Sequence, residues 1–290
     1  MARAASLIKQ ILNQGEYHKM KFDMGRAWND ATGLIGANRE LVAIIAAIFV
    51  FLPSLVMAIV APQMVAGPTE VNPEDPMAAM TAFYSENGVW IFLLAIVQAI
   101  GSLALFALFT ERRPTVGDAI KTGAITLVPY LLAQILLVLL LAVVLGVPIG
   151  LAFAAGGPTA GALVGIIAFV LLVYVMVKFS MLAPVMVIAG VLNPAKALKT
   201  SWDVTKGNSV RLLLFYILLM LAVIVVAVVF GLVSGLLVAM LGTGAVSTMV
   251  AGALNGLIGA VWAVLIVSVL SASYRQLAGP SAAQVSDTFE

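Results

Sequence analysis

The chain has 290 residues, of which 63% are apolar or aromatic and only 10% charged, and it carries 25 glycines. Soluble domains hold roughly half apolar residues and about 25% charged ones, so there is too little polar material here to cover a water-facing surface. The composition excludes an ordinary soluble domain and points to a polytopic membrane protein. There is no cysteine, which removes disulfides, thiolate metal sites and cysteine nucleophiles. The formal net charge is only +2; its distribution along the chain says more than its value.

Residues 1–22 read as an N-terminal cytoplasmic extension. They lack the uninterrupted apolar core of a cleaved signal, although Ser6–Leu12 has the pattern of a short amphipathic turn or two. Residues 23–276 form the membrane domain, and 277–290 a flexible cytoplasmic tail. Six apolar runs are long enough to cross a bilayer, which takes ~20 residues at ~1.5 Å of rise each. They are Leu41–Val60, Val89–Thr110, Leu127–Gly150, Gly161–Ala183, Arg211–Val238 and Ser247–Ala272. The runs are continuous rather than alternating, and open sheet edges cannot sit in lipid. The expected fold is all-α.

All 15 Lys and Arg fall on the side holding the two termini and the 111–126 and 184–210 loops, or at helix ends facing it. Opposite lie 61–88, 151–160 and 239–246, whose charges are Glu70, Glu74, Asp75 and Glu86. Basic residues stay cytoplasmic, so both termini are expected inside.

The segments before the first, third and fifth runs are alike. In one register Ala27, Ala119 and Ala197 superpose, as do the small residues Ala31, Gly123 and Ser201 and the bulky Trp28, Ile120 and Leu198. Each segment has an apolar stripe at helical spacing. Helix starts are expected at Thr115, with Asp118 completing a capping box, and at Asn193 followed by Pro194. The pattern predicts three tandem units, about 23–110, 114–183 and 194–276. Each would be a cytoplasmic interfacial amphipathic helix followed by a transmembrane hairpin, giving six transmembrane helices in three hairpins. Met77–Tyr84 is expected as a short helix on the outer surface.

The stretch Asn193–Asn208, with its Ser201-Trp202 and Thr205-Lys206-Gly207-Asn208, runs into an Arg-Leu-Leu-Leu span. It resembles the bacterial membrane-domain family named after glycerophosphoryl diester phosphodiesterase, and the related YciC-like inner-membrane proteins. The resemblance extends from about Phe22 to Gln276, and Ser201–Asn208 is its specific part. It implies a membrane architecture and a bacterial inner-membrane address. It implies no phosphodiesterase activity, because the catalytic barrel of that family is not part of this chain.

Chemistry is sparse. His18, the single histidine, lies in a polar segment beside Lys19 and reads as solvated. Ser234 has no base to activate it and is expected to bond its own helix backbone. Gly242-Thr243-Gly244 is a turn between spans rather than a nucleotide loop. Glu70, Glu74 and Asp75 sit among prolines without Ca²⁺-loop spacing and read as a solvated acidic loop. No Asp or Glu lies inside an expected span, whereas proton-coupled transporters place ionisable groups there. Lys178, Arg211 and Arg275 lie near span ends and read as interfacial anchors. The deeper amides Gln98, Gln134 and Asn255 are candidate intramembrane polar sites, with interhelical bonding the plainer reading. Gly161/Gly165, Gly231/Gly235 and Gly252/Gly256 would let helix backbones approach.

The strongest candidate surface is the basic face: Arg26, Trp28, Arg39, Arg112, Arg113, Lys121, Lys199, Trp202, Lys206 and Arg211. Basic residues and tryptophan both favour the headgroup region of anionic membranes. The expected role is a non-catalytic inner-membrane protein that binds lipid or a partner protein at this face, in membrane or envelope organisation. A transporter or flippase of a lipid or small amphiphile is the alternative. The expected partners are membrane lipids, anionic ones included, and a protein partner or second copy; nucleic acid, cofactors and metals are not expected.

Overall fold

The computed structural model describes residues 21–63, 76–110, 114–242 and 244–279. Among the described residues every regular element is helical. In chain order the helices are α1 (Met24–Ala37), α2 (Arg39–Val60), α3 (Pro76–Leu108), α4 (Val116–Leu141), α5 (Val147–Phe179), α6 (Leu182–Val187), α7 (Pro194–Thr205), α8 (Ser209–Met240) and α9 (Ala245–Ala278). A π turn at Ala47–Phe51 lies within α2, and another at Ala142–Gly146 joins α4 to α5.

Among the described residues, five helical stretches are long and apolar enough to cross a membrane: Arg39–Val60, Met77–Leu108, Val116–Val187, Ser209–Met240 and Ala245–Ala278. The third, of 72 residues, contains both apolar runs that flank residues 151–160. It bends sharply at Gly157, whose φ of 67° is open to glycine and which Pro158 follows. Phe153 lies against Gly161, although residues that far apart in a straight helix would be separated by about 12 Å. The expected outer-surface helix at Met77–Tyr84 is instead the first part of the continuous α3. Asn87 lets the helix run on: its amide donates to the Phe83 carbonyl and accepts from Gln63 Nε2 at 3.1 Å.

The three related segments start in the same way. Asp23 caps α1 by accepting from the Arg26 amide at 2.9 Å, Thr115 caps α4 by accepting from Asp118, and Asn193 caps α7 by accepting from Lys196. The register that superposes Ala27, Ala119 and Ala197 also superposes these caps. All three alanines are fully buried, and Ala31, Gly123 and Ser201 are buried with them. The segments differ in how they continue. Asn38 separates α1 from α2, and Gly207, at φ 87°, separates α7 from α8. The second segment instead runs unbroken into α4, through Pro129. Its expected separate interfacial helix is therefore the first part of α4, since neither a glycine in a left-handed conformation nor an intervening cap interrupts it.

The core lies where α1, α6 and α7 gather between the ends of α3, α5 and α9 and the starts of α4 and α8. Met181, Val185, Leu212 and Ala272 are buried there beside Ala27 and Ala31, and Leu103–Phe109 pack with Val42, Ile45 and Ala119. This basic end holds most of the buried side chains. Farther along, α5 and α8 expose Ile166, Val170, Val225 and Leu236, as lipid-facing surfaces do.

Helices that meet in lipid expel no water, so their association depends on close packing. α2 and α9 run antiparallel and touch at small residues: Gly252 against Ala58, and Gly256 against Phe51 and Ser54. Gly123 brings α4 onto α3, and a Cβ there would fall 2.7 Å from the Ile100 carbonyl and 2.9 Å from the Ala104 amide. Gly231 and Gly235 face open space. Gly123→Ala is therefore expected to destabilise the protein by about 1–3 kcal/mol. Gly231→Ala, relieved of glycine's helix penalty of about 1 kcal/mol, is expected to be neutral or stabilising. Melting temperatures in one detergent check both.

Candidate functional site: the basic end of the bundle

The segment Ser201–Asn208 lies at the centre of this end. α7 packs on the end of α5 and on α4, which brings its two buried hydroxyls to one backbone oxygen. Ser201 Oγ donates to the Lys178 carbonyl at 2.9 Å; Thr205 Oγ1 lies 3.3 Å from the same carbonyl, with the Ser201 and Trp202 carbonyls of its own helix nearer, at 3.0 and 3.1 Å. The Lys178 carbonyl is in the last turn of α5, where helix oxygens have no intrahelical donor. Ser201 thus caps α5 from outside, with the Thr205 hydroxyl close behind it. Asn208 Oδ1 accepts from the Phe22 amide at 2.9 Å, and Gln276 Oε1 accepts from the Asp23 amide at 3.2 Å. These two bonds pin the entry to α1 on α8 and α9. The Phe22 ring packs against Phe215 at 5.5 Å.

Lys178 is not the interfacial anchor expected of it. It is only 2% exposed, and its ammonium lies 5.0 Å from the Trp202 ring centroid and 5.5 Å from that of Tyr174. Trp202 in turn meets Tyr174 edge-on at 6.0 Å. Aromatic faces attract a cation, so the charge is held between rings. Arg275 also turns inward, donating to the Phe109 carbonyl at the end of α3; Arg211 is half-buried.

Apart from Trp202, the remaining described members of the predicted basic face stand outside this packing. Arg26, Arg39, Lys121, Lys199 and Lys206 are exposed, Trp28 is 42% exposed and Trp202 37%. Arg26 pairs with Asp30 across one turn at 3.6 Å, a solvent-exposed pair that contributes ~0.3–0.5 kcal/mol. Arg112 and Arg113 lie outside the described residues, as do His18, Glu70, Glu74, Asp75 and Thr243. α1, α4 and α7 therefore turn their small residues inward and present bases and tryptophans outward.

The three amides do not converge. Gln134 donates to the Tyr130 hydroxyl at 2.7 Å, within its own helix. Gln98 is half-buried and Asn255 is exposed on α9; neither has a hydrogen-bond partner among the described residues. Another side-chain pair joins two spans: the Ser180 and Tyr216 hydroxyls lie 3.1 Å apart, between the end of α5 and α8. Sequence reading missed it, since a serine at a span end and a tyrosine inside a later span share no spacing signal. Ser234 Oγ donates to the Gly231 carbonyl. Among the described residues, no cluster of His, Asp and Glu has the makings of a metal site.

The family described as a domain of unknown function (DUF7847) matches residues 24–277, and the chain belongs to it. No curated protein and no solved structure matches. Substituting Ser201→Ala together with Thr205→Val would leave the Lys178 carbonyl buried without its caps. This double change is expected to cost about 1–3 kcal/mol, whereas Asp203→Ala, on the exposed side of α7, leaves the melting temperature unchanged.

Proposed function

We propose that this DUF7847 protein is a non-catalytic, multi-pass protein of the bacterial inner membrane whose basic end, on the cytoplasmic side, binds anionic lipid headgroups or a partner protein and serves membrane organisation. The observation that carries this reading is the division of labour on α1, α4 and α7. Their buried faces hold the fold together, so the exposed Lys121, Lys199, Lys206 and Trp28 are not needed for packing, while Trp202 packs on Lys178 and Tyr174 and keeps part of its ring exposed. Tryptophan and basic side chains together suit the headgroup layer, where each base contributes about 1 kcal/mol of attraction to an anionic surface.

Six crossings in three hairpins, with both termini inside, complete the proposal. The bend at Gly157, the approach of Phe153 to Gly161 and the one-sided placement of bases support it. The common caps and buried alanines of the three helix starts support descent from a repeated unit. The resemblance of Ser201–Asn208 to the glycerophosphoryl diester phosphodiesterase membrane domains points to the same kind of scaffold.

A second reading, movement of a lipid or amphiphile between leaflets, draws on one observation: Asn255 presents an unpartnered amide at the outer surface of α9. Faster exchange of a labelled lipid across vesicles containing the protein would favour it.

The test of the preferred reading replaces Lys121, Lys199 and Lys206 with Gln together. Lipids retained by the extracted protein are then counted by native mass spectrometry. Retention of phosphatidylglycerol over phosphatidylcholine is expected to fall by about fivefold or more per charge removed. Unchanged selectivity, together with unchanged capture of any co-purifying protein, would remove this face as the binding surface.

A further inference from the structure

A groove of about 560 Å³ runs between α2 and α9, within the ~300–1,000 Å³ range of small-molecule sites. Its origin is physical. At Gly252 and Gly256 the two helices are in backbone contact. Toward the basic end, from the π turn of α2 onward, they stay packed through Ala46, Val50 and Ala260, and the groove lies along this seam; π turns bend helices and recur at functional sites. Ala43, Ala46 and Ala260 line the groove there, and larger residues, Leu257 and Leu265 among them, line it along α9. Left empty, the groove would forfeit dispersion contacts along both walls.

One lining residue is charged. Arg39, the first residue of α2, lies at the end of the groove nearest the basic end. Its side chain is exposed, and it has no ion pair or hydrogen-bond partner among the described residues. Its acidic neighbour Glu40 does not line the groove. The lining extends along α2 from Arg39 to Phe51, about 18 Å at ~1.5 Å per residue. One leaflet supplies about 15 Å of a ~30 Å hydrocarbon core. The groove therefore has an acyl chain's depth, with Arg39 at the end where that chain's phosphate would sit.

We propose that this groove holds a single anionic glycerophospholipid, one acyl chain lying between α2 and α9 and its phosphate on Arg39. Guanidinium is the side chain suited to phosphate, which it meets with paired, charge-assisted bonds. The proposal rests on the membrane placement given above, and it adds one fixed, stoichiometric lipid to a face that otherwise attracts headgroups diffusely.

The test reconstitutes the full chain in vesicles of phosphatidylcholine with about a tenth phosphatidylglycerol, extracts it gently and measures retained lipid by native mass spectrometry at rising collision energy. Wild type is expected to keep one phosphatidylglycerol after the others are stripped. Arg39→Gln is expected to cut that last species about tenfold, and Arg39→Lys to cut it less. Ala43→Leu, which fills the groove without removing charge, is expected to displace it while the melting temperature in detergent holds or rises. The Lys121, Lys199 and Lys206 triple variant is expected to lose diffuse lipids and keep this one, so failure of the diffuse face and failure of the groove give different spectra. The proposal is overturned if phosphatidylcholine is retained as tightly as phosphatidylglycerol. It is equally overturned if Arg39→Gln, or a folded Ala43→Leu protein, keeps the lipid as wild type does.

Discussion

Helix ends are the weak points of this protein, and closing them organises everything around them. A helix leaves its last carbonyls without donors, and apolar surroundings raise the cost of leaving them so. At the basic end, the carbonyls of Lys178 in α5 and of Phe109, just past α3, both receive donors from elsewhere in the chain: the Ser201 hydroxyl of α7 and the guanidinium of Arg275. The amides leading into α1 are closed likewise, by Asn208 and Gln276. Each of these bonds links elements distant in sequence, so satisfying the backbone and assembling the bundle are one event.

The remainder of the packing follows from the absence of a hydrophobic drive between helices in lipid. Where helices must meet, a glycine or alanine lets their backbones do so, as at Gly123, Gly252 and Gly256. Along the seam of α2 and α9, where alanines such as Ala46 and Ala260 pack, lies the groove beside Arg39. The same economy explains the three helix starts. A small residue at each buried position allows α1, α4 and α7 to lie tight on their neighbours, and the opposite side is left free for bases and tryptophans.

This arrangement changes the meaning of the Ser201–Asn208 segment. Its distinctive residues are those whose side chains are already used: Ser201 and Thr205 on a carbonyl, Trp202 beside Lys178, Asn208 on the Phe22 amide. A motif that specific is a latch in this fold, and the proposed binding chemistry moves to its unspecific neighbours, the exposed lysines. Arg39 belongs with them. In sequence it is one more basic residue ahead of a span; only its place beside a gap between two helices distinguishes it.

The membrane character, the helical class and the inward-facing small residues were legible in the sequence, because composition and the 3.6-residue period are local properties of the chain. The caps at Thr115 and Asn193 were equally legible, since a cap is decided within four residues. Partners were not. Nothing near Lys178 announces that it is buried between two rings, nothing near Gln134 that its amide stays on its own helix, and nothing near Glu86 and Asn87 that α3 runs through them. Nor does spacing reveal which glycine pair is used internally: Gly231/Gly235 and Gly252/Gly256 are written alike, yet only the second meets another helix. Those outcomes depend on which helix surfaces face each other, and that was decided by tertiary packing, through contacts between residues far apart in the chain.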